Sequence, residues 1–221
     1  MRSELGFHSY LSYCPRSHWA GASSRDLIQA ESWMRALKRG FRSGFEGDDP
    51  YRVVARELAK DIRAGRVVDG FEDGQAALVP VPRSSLLPER GPFHWPARAL
   101  STALVEAGLA AEVVSVLKRC KAIEKASLGG DRGIHRQRET LSITELVLPD
   151  RRIVLVDDVI TSGASMLGCA LVLEGHFPGV ALLPCFAAMR TVSSPAEFTR
   201  TRAPVHGRVV LRADGACLRR P

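Results

Sequence analysis

Asparagine is absent from the 221 residues, and lysine is scarce, five against 26 arginines. That skew fits a genome-wide nucleotide bias acting through codon choice. The formal net charge of +7 is therefore weak ground by itself for a polyanionic partner. No run approaches the ~20 apolar residues of a membrane helix, and "MRSELGFHSYLSYCPRSHW" lacks the continuous apolar core of a secretory signal. The five cysteines (Cys14, Cys120, Cys169, Cys185, Cys217) are scattered and contain no C-x-x-C pair. Their odd number and spacing argue against a disulfide framework and a zinc site, and fit reduced thiols in a cytoplasm. No G-x-x-x-x-G-K-[ST] occurs, so the P-loop ATPase reading of an acidic strand is closed.

What is present reads as alternating strands and helices. Leu27, Ile28, Trp33, Met34 and Leu37 recur at helical spacing behind Ser24, an apt N-cap, and Pro50 opens a second helix. "AALVPVP" (76–82) is a short apolar strand stopped by prolines, and "PARALSTALVEAG" (96–108) an amphipathic helix closed by Gly108. "AEVVSVL" predicts another strand, "RRIVLVDD" (151–158) a strand covered on both faces, "SMLGCALVLEGHF" a helix and "GVALLPCFAAM" a strand. "GRVVLRADG" adds one more strand at an edge or in a hairpin. The expected fold is α/β, a doubly wound, mostly parallel sheet. Residues 1–70 are expected to form an N-terminal helical addition packed on the core, and 71–221 the α/β domain, in one compact unit.

One stretch carries chemistry. In "VLVDDVITSGAS" the strand is expected to end at Asp157 and Asp158, and Thr161, Ser162, Gly163, Ala164 and Ser165 turn into a helix. Ligands of open α/β sheets bind beyond the carboxyl ends of strands, and a helix N-terminus favours an anion. Small residues admit a phosphate, hydroxyls add donors, and two carboxylates accept hydrogen bonds from a vicinal diol. Diol beside phosphate describes a ribose 5-phosphate.

The stretch resembles the phosphoribosyl-pyrophosphate (PRPP) motif of type I phosphoribosyltransferases. The resemblance implies that Asp157 and Asp158 hold the ribose hydroxyls and, indirectly, Mg²⁺, and that Thr161 to Ser165 hold the 5-phosphate. "LVPVPRSS" is similar to the family's pyrophosphate-contacting segment, which nominates Arg83 and Ser84. The order of segments from 76 to 190 is closest to the ComF-type, competence-associated branch, without the zinc finger that branch often carries. Thr161 stands where the purine-salvage branch has an acid, which disfavours hypoxanthine or guanine. The implied reaction transfers phosphoribosyl to a nitrogen acceptor and releases pyrophosphate.

Two basic stretches need a role. Lys118–Arg138 sums to +5, and so does Arg190–Pro221. A Gly-containing basic flap with Lys125, Arg132 and Arg136 is expected to close over pyrophosphate, and His94 and Trp95 to line an acceptor pocket. A non-catalytic PRPP-sensing regulator, or a DNA-uptake (competence-related) protein, that binds nucleic acid through these surfaces stays open as the alternative function, and a homodimer stays open as the assembly.

Overall fold

The computed structural model describes residues 2–19, 21, 23–40, 48–86, 94–123, 133–144, 147–150 and 152–221. A seven-stranded sheet runs through the molecule in the order β3-β2-β6-β7-β1-β8-β9. Its strands are β1 (Glu4–Tyr13), β2 (Ala77–Pro80), β3 (Glu112–Val113), β6 (Ile153–Ile160), β7 (Cys185–Thr191), β8 (Arg202–Leu211) and β9 (Cys217–Arg220). From β3 to β1 every pairing is parallel, and β8 and β9 close the far side antiparallel. Helices α1 (Arg25–Arg39), α2 (Pro50–Arg63) and α3 (Pro96–Glu106) supply one face, burying Trp33, Leu37, Leu58 and Leu104. Helices α4 (Ile134–Glu139) and α5 (Ala164–His176) cover the other, with a two-stranded sheet of β4 (Leu117–Arg119) and β5 (Leu141–Ile143). The expected doubly wound, mostly parallel α/β fold is present.

Local chemistry accounts for the helix starts. The Ser24 hydroxyl accepts the Leu27 N–H at 3.2 Å, and Asp49 accepts that of Tyr51 at 2.8 Å, with Pro50 in the first helical position. On β6, Ile153 and Leu155 pack toward α5, while Val154 and Val156 pack toward α2 and α3. A strand covered on both sides has no polar face, hence the unbroken apolar run.

Three expectations need correction. The first residues are not helical. Glu4–Tyr13 is an inner strand, paired in parallel with β7 and antiparallel with β8, so its backbone groups are satisfied by residues far along the chain. The expected strand "AEVVSVL" divides: Glu112 and Val113 extend the main sheet beside β2, whereas Leu117 pairs with Ile143 in the small sheet. Finally, β6 does not stop at Asp158, because pairing with β7 continues to Ile160 and Arg190. The last two strands form a hairpin, as "GRVVLRADG" suggested.

All five cysteines are free thiols, and burial pushes Cys169 up to about 12, as befits a core residue. Among the described residues no helix is long and apolar enough to cross a membrane.

Candidate phosphate and diol site

The crossover from β2 through α3 leads outward to β3, while that from β6 through α5 leads the other way to β7. The chain therefore reverses direction between β2 and β6, and a crevice opens at the carboxyl ends of those two neighbours. The segments singled out from sequence lie there. Arg83 and Ser84 follow β2, and Asp157 to Ser165 span the end of β6 and the start of α5.

Adjacent residues in a strand point to opposite faces, so Asp157 and Asp158 approach the crevice from two sides. Asp158, 5% exposed, faces α1 and is ion-paired with Lys38 at 2.7 Å. The Asp157 carboxylate accepts the Asp158 N–H at 2.9 Å. Burial pushes the Asp157 carboxyl well above the usual range, and the adjoining Asp158 carboxylate adds to this. Lys38 partly opposes both effects. Burial alone would lower the Lys38 ammonium, yet Asp158 and Asp157 hold it above its ordinary value.

The loop that follows is shaped by Gly163. Its φ of +83° is left-handed, and a Cβ there would lie 2.2 Å from a methyl of Val209. Only glycine meets both demands. Gly163 is also the N-cap of α5, with no side chain capping it and no acid in the first turn. Those first N–H groups and the Thr161, Ser162 and Ser165 hydroxyls form a donor set suited to an anion. Thr161 is exposed, and Ser162 and Ser165 are partly so.

Around this centre the chain has built supports that sequence reading passed over. Lys38 is one. Tyr51 is a second: its hydroxyl donates to the Leu37 carbonyl and lies 2.9 Å from His94 Nε2. Gly40, at φ +67°, brings the end of α1 so close that a Cβ would meet the His94 ring at 2.7 Å. The His94 carbonyl accepts from Arg83 at 2.6 Å. Arg119 of β4 is the third. It is buried and donates to the Arg83 carbonyl at 3.2 Å, to Thr140 Oγ1 at 2.6 Å and to Gln137 Oε1 at 3.4 Å. Ser165 donates to the same Gln137 oxygen at 3.4 Å. A polar chain thus runs from Arg83 through Arg119 and Gln137 to the loop.

No sequence signal marked these residues. A lysine in the last turn of a helix ordinarily serves the helix dipole, and a tyrosine on an apolar stripe ordinarily fills a core.

Among the other expected residues, Ser84 is exposed and its carbonyl accepts the Ile123 N–H at 2.9 Å. His94 is half-buried in the cluster just described. Trp95 is 7% exposed, and its indole N–H donates to the Val81 carbonyl at 2.9 Å. Arg136 is exposed on α4. Lys125 and Arg132 lie outside the described residues.

No family model matches this sequence, and no curated protein matches it. Among solved structures, a purine phosphoribosyltransferase from Pyrococcus horikoshii Ot3 is similar at 18% identity and a TM-score of 0.32. The match covers 69% of this chain and 95% of that one.

Proposed function

We propose that the protein binds PRPP together with Mg²⁺ and transfers its phosphoribosyl group to a nitrogen acceptor other than hypoxanthine or guanine, releasing pyrophosphate. One observation carries this reading. A carboxylate pair, an uncapped helix N-terminus with three hydroxyls, and Arg83 lie at one crevice where the sheet changes direction.

The roles follow from the chemistry of each group. Asp157 and Asp158 accept from the ribose 2- and 3-hydroxyls, and Thr161 to Ser165 surround the 5-phosphate. Arg83 and Ser84 are assigned to the pyrophosphate, and the positive charges of Lys125, Arg132 and Arg136 are assigned to the same group on chemistry alone. His94 and Trp95 border the acceptor.

The acceptor nitrogen forms a bond to C1 as the bond from C1 to the pyrophosphate oxygen breaks, and the nitrogen gives up a proton. Negative charge grows on the leaving pyrophosphate, so cations placed there act in the transition state.

Among the described residues no group of three or more His, Cys, Asp or Glu side chains forms a metal cage. Hard oxygens from one or two carboxylates plus substrate phosphates are what Mg²⁺ uses in place of such a cage. Asp157 and Asp158 fit that pattern through intervening water, and the ion would supply charge neutralisation at the pyrophosphate.

Free thiols fit our reading of a cytoplasmic protein, and the order of segments is what supports the ComF-type branch, from whose frequent zinc finger this chain departs.

The primary experiment is calorimetric titration of PRPP with Mg²⁺ into the wild type and the Asp157→Ala/Asp158→Ala variant, followed by a pyrophosphate-release assay over a panel of bases and amines. Binding confined to the wild type, with release for one acceptor, is the expected result. Binding with no release for any acceptor would favour a sensor. A wild type that does not bind PRPP ends this reading.

Lys38 supplies a second check. Without its ammonium the two carboxylates face each other unscreened, and the site loses a cation near a highly anionic ligand. Lys38→Gln is expected to weaken PRPP about tenfold or more, the scale of one charge-assisted contact. Lys38→Arg should retain most of the affinity. Equal affinity in the wild type and the glutamine variant would remove Lys38 from the site.

A further inference from the structure

We propose that the β8–β9 hairpin is the positioning element of the phosphate loop, with Arg219 fixing the strand end that leads into the loop and Val209 fixing its turn. This rests on the ribose-phosphate reading above and gives the basic C-terminal stretch a role.

Val209 and Arg219 are direct cross-strand partners in the hairpin. Both meet the same short segment of β6 and its loop. Arg219 Nη1 donates to the Ile160 carbonyl at 3.2 Å, and Nη2 donates to the Thr191 carbonyl at the end of β7. Ile160 immediately precedes Thr161, so the guanidinium ties together the carboxyl ends of two adjacent parallel strands at the point where the loop departs. A planar fork with two parallel donors suits that task, and a lysine could serve only one carbonyl well. Val209, fully buried, fills the space against Gly163 that a side chain at that position would need.

The turn of the hairpin touches a second segment of the site. The Gly215 carbonyl accepts the Ile134 N–H at 3.0 Å, at the start of α4. Helix α4 carries Gln137, the residue that receives both Ser165 and Arg119. One hairpin therefore contacts the phosphate loop directly and through α4.

The electrostatics point the same way. Burial, with Arg190 adding to it, pulls Arg219 down to about 10, and both of its hydrogen-bond partners are neutral carbonyls. A guanidinium partly desolvated against carbonyls is costly. Its charge, partly offset by Glu197, adds positive potential beside the loop, where an anion would gain from it.

The test separates the two halves of the ligand. Ribose 5-phosphate and Mg²⁺-pyrophosphate are titrated calorimetrically into the full chain as wild type, Arg219→Gln, Arg219→Lys, Val209→Ala and Leu218→Ala. Leu218 is an exposed neighbour on the same strand and serves as the control. Arg219→Gln is expected to weaken ribose 5-phosphate about tenfold and to leave pyrophosphate within about twofold, with Arg219→Lys between it and the wild type. Val209→Ala, which removes bulk without removing a hydrogen bond, should weaken ribose 5-phosphate alone by about threefold, and Leu218→Ala should change neither ligand. If Arg219→Gln does not fold, the Val209→Ala result decides. Unchanged ribose 5-phosphate affinity in Arg219→Gln and Val209→Ala overturns the proposal, and so does equal weakening of both ligands, which marks a general structural role. A wild type that binds neither ligand overturns the ribose-phosphate reading itself.

Discussion

Alanine at position 163 is expected to cost about 2–5 kcal/mol of stability and to remove PRPP binding. Two independent terms make up that figure. A side chain held at φ +83° costs ~1–2 kcal/mol because its Cβ crowds the following carbonyl oxygen. The same Cβ would stand 2.2 Å from a Val209 methyl, an overpacking of the kind that costs ~1–3 kcal/mol. In a chain of 221 residues, each kcal/mol lowers Tm by about 2–4 °C, so the melting point should fall by about 5–20 °C. The two terms can be separated. Val209→Ala in the Gly163→Ala background relieves the crowding and leaves the left-handed strain, so only part of the loss should return. A double-mutant cycle on thermal unfolding reads that coupling. A Gly163→Ala protein melting within a degree of the wild type would mean that the loop does not have the conformation described.

The second large effect concerns Asp157. Burial and the adjoining Asp158 carboxylate raise its folded-state value above that of an unfolded aspartate, ~3.9. Between those two values the native protein holds a proton that the unfolded chain has released. Stability therefore falls as pH rises through that window, by about 1.4 kcal/mol for each unit of displacement, and the full loss is reached above the folded value. Asparagine cannot ionise. The stability of Asp157→Asn relative to wild type should thus grow as pH rises above the unfolded value, as urea unfolding over a pH series would read. Ligand binding should run opposite to stability. Ribose hydroxyls donate to a carboxylate and favour its charged form, so PRPP binding is expected to expel a proton from the wild-type pair and to tighten as pH rises. Calorimetry in buffers of different ionisation enthalpy measures that release. Asp157→Asn should release no proton there and bind PRPP at least about tenfold more weakly. Wild-type binding without proton release would contradict the assignment of the diol to this carboxylate.

Much of the fold is legible where local pattern and tertiary environment agree. The apolar run before Asp157, the Ser24 cap and Pro50 each name an element that the structure contains. Strand β1 escapes because its environment contradicts its composition. His8, Ser9 and Ser12 are buried polar residues between two neighbouring strands, so "ELGFHSYLSY" shows neither a clean alternation nor an apolar run. The segment from Ala111 to Arg119 misleads for another reason. Its β-branched residues suit a strand, yet the chain turns mid-way to reach a second sheet, and nothing in the residue types marks that turn. At the site, the acids and the loop are contiguous and declare themselves. Lys38, Tyr51 and Arg119 come from three other elements, and a distance of a few ångströms across the crevice leaves no trace in the linear order.

The place of β1 has a consequence for how this protein is made. The strand that the ribosome delivers first within this chain pairs only with β7 and β8, which come among the last. Synthesis at about 5–20 residues per second puts roughly 10–35 s between the completion of Tyr13 and the appearance of Cys185. For that interval "ELGFHSYLSY" has no partner strand in its own chain, and its aromatic and aliphatic side chains stand exposed. Chaperone dependence, and yield on fast versus slow translation, should therefore be governed by Glu4–Tyr13, although the proposed chemistry lies some 150 residues further along.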